Sequence, residues 1–99
     1  MTSTPKTPNK IPRPPQSTLD LKTQADHLRL KLSVAFTGQA DRDVAAVMAV
    51  QLEALAELAR IGQTHATDAE LKALVQRVQQ SSSTDEQQLR ALKQRLPKA

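Results

Sequence analysis

The sequence predicts an all-α fold: a three-helix bundle, or a helical hairpin with an extra N-terminal helix, assembled as a dimer. Three observations carry this. Apolar residues recur at alternating steps of three and four in three separate runs. The two glycines, Gly38 and Gly62, fall between those runs, which are rich in the helix-favouring Ala, Leu and Gln. Phe36 is the only aromatic residue, so a chain this short has few bulky anchors for a core of its own, and pairing is the commonest remedy.

Residues 1–16 form a separate segment. They hold Pro5, Pro8, Pro12, Pro14 and Pro15, five of the six prolines in the chain, together with Lys6, Lys10 and Arg13 and no acidic residue. Such a stretch favours extended polyproline conformations and has nothing to bury, so a disordered basic arm is expected. Its three positive charges also suit phosphate contact, although no aromatic residue interleaves them for base stacking. The Pro12-Arg13-Pro14-Pro15 string has the form that docks on aromatic grooves.

A helical domain is expected over 17–96. Its first helix, about 17–36, opens on Ser17 with Asp20 as a variant capping box. Leu21, Ala25, Leu28, Leu32 and Phe36 make its apolar seam, and Thr37-Gly38 supplies a left-handed stop. Thr18-Leu19-Asp20-Leu21-Lys22 also alternates polar and apolar, as a short strand would. A strand followed by two helices resembles the order of ribbon-helix-helix DNA-binding dimers. In that alternative Thr18, Asp20 and Lys22 join Lys6, Lys10 and Arg13 as the nucleic-acid surface.

The second helix is expected at about 40–61, with Gly62 as its stop. Val44, Met48, Leu55 and Leu58 share one stripe, with Ala45, Leu52 and Ala59 beside it. Small residues at Ala45, Ala49, Ala56 and Ala59 allow a neighbouring helix to come close. Asp41 and Asp43 sit where the helix dipole favours carboxylates.

The third helix, about 67–96, opens on Thr67-Asp68-Ala69-Glu70, a capping box. Leu71, Val75, Val78, Ser82, Asp85, Leu89, Leu92 and Leu96 keep a strict heptad rhythm. Ser82 and Asp85 place a polar layer in the seam, or mark a break at Ser81–Thr84. The unchanged heptad phase on both sides favours one continuous helix. The residues expected to pair helices or subunits are Leu28, Leu32, Phe36, Met48, Leu55, Leu71, Val75, Val78, Leu89 and Leu92.

Chemistry has few footholds. His27 and His65 are the only imidazoles, and neither has a second ligand at helical spacing. The chain has no cysteine, no Gly-rich phosphate loop and no nucleophile turn. Catalysis and a cofactor are not expected. No run approaches the roughly 18 apolar residues of a membrane span, and residues 1–16 lack the apolar core of a signal peptide, so a cytoplasmic location is expected. Export from a longer precursor stays open.

One resemblance bears on metal. Asp41-Arg42-Asp43-Val44, Met48, the alanine ladder to Ala59 and Asp68-Ala69-Glu70-Leu71-Lys72-Ala73-Leu74 resemble a family of small, ferritin-like His/Met-rich helical proteins linked to copper handling, over about residues 36–96. That resemblance implies a helix pair with Met48 as a ligand, followed by a His-His pair and a second Met. Here Gln51, Leu52 and Leu58 stand in those places, leaving Met48, His65 and His27 as the only candidate donors.

The leading expectation is a non-enzymatic helical interaction protein that self-associates as a homodimer or meets a protein partner. A DNA-binding regulator and a copper-associated protein stand as alternatives.

Overall fold

The computed structural model describes residues 13–97, and the fold is all-α, with three helices and no strand among these residues. They are α1 (Gln16–Lys31), α2 (Ala40–His65) and α3 (Ala69–Arg95). Lys6 and Lys10, with most of the expected basic arm, lie outside the described residues.

Helix α1 differs from its expected form at both ends. Pro15 is the N-cap, with its fixed backbone angle and no side-chain cap, and Ser17 lies inside the helix. Asp20 accepts from Gln16 Nε2 at 2.8 Å instead of capping. Thr18–Lys22 is helical, so the strand on which the ribbon-helix-helix order depends is not formed. The helix ends at Lys31, five residues before Phe36. Past that stop, the Asp43 carboxylate accepts from the Thr37 and Gly38 N–H groups, both at 3.0 Å, and from the Thr37 hydroxyl at 2.9 Å. These bonds draw the chain into a linker ahead of α2. Gly38 has the expected positive φ of 89°, but in that linker and not at a helix C-terminus.

Helix α2 starts as expected. Gln39 caps it by accepting from the Arg42 N–H at 2.7 Å, and Asp41 and Asp43 occupy its first turn. It then runs through Gly62 to His65. Gly62 is a contact point and not a stop: a Cβ there would lie 3.2 Å from Val75 Cγ1 of α3. Its missing side chain lets the two helices approach.

Helix α3 is capped by Asp68, one residue after the expected Thr67, through the Leu71 N–H at 2.8 Å. It is continuous across Ser81–Thr84. It runs antiparallel to α2, with a Gln63–Gln79 amide pair near the turn and Arg42 Nη1 donating to the Lys93 and Leu96 carbonyls at the far end, at 2.9 and 3.2 Å. This alignment sets Ser82 abreast of Ala56 and Ala59. Ser82 is 2 % exposed, so it is a small contact residue in a tight helix pair and not an open polar layer.

Helix α1 packs on α2 alone and makes no backbone approach to α3. Its buried residue is Gln24, whose Nε2 donates to the Ala54 carbonyl at 3.0 Å; Ala25, expected in the seam, is exposed. The three helices thus lie side by side with α2 in the middle. No described helix is long and apolar enough to cross a membrane.

Candidate interaction face

Helical spacing assigns each side of α2 a role. Ala45, Ala49, Ala56 and Ala59 are buried along the side that meets α3, and Ala54 is buried on the side that meets α1. Between these two sides run Val44, Met48, Leu55 and Leu58, all between 38 % and 56 % exposed. The opposite side carries Glu53, Glu57 and Arg60.

The Val44–Leu58 side is the floor of an apolar trough walled by α1 and α3. A hollow of about 440 Å³ lies over Leu55, Leu58 and Gly62, with Leu21 of α1 and Leu74, Val75 and Val78 of α3 as its walls. A second, of about 420 Å³, adjoins it and shares Leu55 and Leu58 while adding Leu28 and Leu32 of α1 and Met48. A third continues past Met48 and Leu52 to Leu89 and Leu92 of α3, with Asp85 at its edge. The shared residues make these one continuous surface.

The other side of the layer is polar. Glu53 is its organising group, bonded to Lys31 of α1 at 2.7 Å and to Arg90 of α3 at 3.0 Å, so one carboxylate ties all three helices. The Lys31 hydrogen bond, with the charges of Lys31 and Arg90, holds the Glu53 carboxyl below its ordinary range against some desolvation. Arg90 also meets Glu86 at 2.6 Å, and His27 meets Glu57 at 3.3 Å. Gln63, Gln76, Gln79, Gln80, Ser83 and Thr84 line a polar hollow.

Eight of the ten expected interface residues, Leu28, Leu32, Met48, Leu55, Val75, Val78, Leu89 and Leu92, line the trough, and Leu71 is exposed on α3 outside those hollows. Phe36 does not line it either. It sits in the linker, 68 % exposed, because α1 ends before reaching it. Leu21, Leu52, Leu58 and Leu74 belong to the trough and were not among the expected ten; Leu52 and Leu58 were legible in the α2 stripes, whereas Leu74 lies off the heptad positions of α3.

The candidate donors are not gathered into one site. His65 Nε2 is 2.8 Å from Asp20 Oδ2, where the Gln16 hydrogen bond and then the His65 contact lower the Asp20 pKa. His27 is on Glu57, and Met48 lies in the trough among Gln51, Leu52 and Leu55. Among the described residues no three His, Cys, Asp or Glu side chains converge. One thioether with an amide and leucines does not fit copper. Of the nucleic-acid candidates, Lys22 is exposed on α1, Asp20 is engaged by His65, and Thr18 is half-buried in the same helix. Arg13 precedes that helix and is exposed.

The chain matches no protein family, no curated protein and no solved structure.

Proposed function

We propose that the protein is a non-enzymatic helical interaction module whose working surface is the apolar trough. One observation carries this reading. Among the described residues, those that are buried are five alanines with Gln24 and Ser82, while every Leu, Val, Ile and Met keeps part of its surface open. Domains ordinarily place two layers of secondary structure around a shared core. This chain supplies one layer with its leucines facing outward, and a second layer is the natural complement. The trough is open along its length, which suits a helix or helical face better than a small ligand, whose pockets enclose most of its surface.

The absence of native cysteine permits a direct test. Leu55→Cys places a thiol on the trough floor, and Arg60→Cys places one on the opposite side. Either the first thiol reacts more slowly with a water-soluble reagent than the second, or the trough is bare and binds the apolar dye anilinonaphthalene sulfonate. Equal reactivity without dye binding would show a face that docks nothing.

A further inference from the structure

We infer that the second layer is another copy of this chain, packed trough to trough in a two-fold homodimer; this inference rests on the trough being a docking face. The area is right. Leu21, Leu32, Val44, Met48, Leu55, Leu58, Leu71 and Leu74 are each 38–56 % exposed. The six of these that line the hollows offer on the order of 500 Å² of accessible surface, to which half-buried Leu28, Leu52, Val75, Val78, Leu89 and Leu92 add, toward the ~800 Å² each partner contributes to a stable interface.

The rest of this sequence offers little apolar surface to fill the trough. Residues 1–12 supply only Met1 and Ile11 as large apolar side chains, and residues 98–99 are Lys and Ala.

Charge points the same way. The ion pairs Lys31–Glu53–Arg90 and His27–Glu57 stand on the far side of the layer. In the trough lining only Asp85 and His65 can carry charge, and they line different hollows. A charged partner finds little to pair with there, whereas an identical apolar face meets no row of like charges. Leu55 and Leu58 line both hollows at the middle of the trough, so a two-fold axis through its centre would pass near them, and in a symmetric contact residues at the axis meet their own copies.

The test uses the full chain at micromolar concentration. Sedimentation equilibrium should give twice the 10.8 kDa chain mass. A short bis-maleimide should join Leu55→Cys or Leu58→Cys into covalent dimers and leave Arg60→Cys mostly single; two trough positions guard against one variant failing to fold. A folded monomer that binds anilinonaphthalene sulfonate would overturn the homodimer while leaving the docking face intact, its partner being a different chain. A folded monomer without dye binding would overturn both. A dimer that cross-links through Arg60→Cys and not through the trough positions would also overturn both, because the contact would then lie on the polar side.

Discussion

Ser82 is the position where sequence pattern and structure prescribe opposite effects. As a gap in a heptad seam, Ser82→Leu should complete the seam and stabilise the helix pair. In the structure Ser82 is 2 % exposed and lies abreast of Ala56 and Ala59, which are 7 % and 3 % exposed. No space is left for a leucine. The added carbons must push α3 off α2, and overpacking of this kind typically costs about 1–3 kcal/mol. For a domain of this size each kcal/mol moves the midpoint by roughly 4–8 °C, so the melting temperature should fall by about 10 °C. Far-UV circular dichroism melts at matched protein concentration read this directly. Ser82→Ala is the control, since it keeps the small volume and should stay within about 1.5 kcal/mol of wild type. A Ser82→Leu melting temperature equal to or above wild type would mean that α2 and α3 do not close together there, and that the seam reading was right.

Three further outcomes are expected. Gly62→Ala should raise stability by up to about 1 kcal/mol, because alanine is the better helix former and half-buried Val75 can yield a few tenths of an ångström; Gly62→Leu should lower the melting temperature. Acid should loosen the fold: Asp20 and Asp43 are lowered from 3.8 and Glu53 from 4.5, so their stabilisation is complete above those values and disappears as pH falls through and below them. Melts from pH 6 down to about 2.5 should therefore decline modestly below roughly pH 4.5, and Glu53→Gln should flatten that descent. Gln51→His with Leu52→His, beside Met48, should create copper affinity that calorimetry detects and that Met48→Leu removes; wild-type protein binding copper as tightly would refute the claim that the present donors are insufficient.

Much of the helical layout was legible because periodicity is a local property. The runs that make α2 and α3 announce themselves in alternating steps, and the alanines at 45, 49, 56 and 59 announced the close approach that the structure shows. Errors arose where a distant residue decided a local outcome. Phe36 fits the α1 seam by spacing, yet the helix ends at Lys31, and Asp43, seven positions beyond Phe36, holds the Thr37 and Gly38 N–H groups in the linker. Gly62 looks like a stop in isolation, and only the position of Val75 shows it as a place where two helices touch. Gln24, off the expected seam, is buried because the Ala54 carbonyl on α2 receives its amide. The trough was half legible: its leucines could be assigned to three faces, but spacing cannot say that those faces open to the same side.

The alanine-lined hairpin has a physical consequence for what else the molecule must do. Close helix packing through small residues gives many backbone-to-backbone contacts but removes little apolar surface. Five buried alanine methyls contribute on the order of 4 kcal/mol at about 0.8 kcal/mol each. A single leucine buried fully contributes about 1.5–3 kcal/mol, and the trough presents several that are not yet buried. A substantial further share of hydrophobic stabilisation therefore lies on the surface that α1 and α3 frame, where the trough leucines keep 38–46 % of their surface open. The polar side cannot replace it, because exposed ion pairs such as Lys31–Glu53 and Arg90–Glu53 contribute at most about 1 kcal/mol each. What Glu53 does instead is bridge α1 and α3 to α2 from behind, on the side away from the trough leucines that a second layer can cover together.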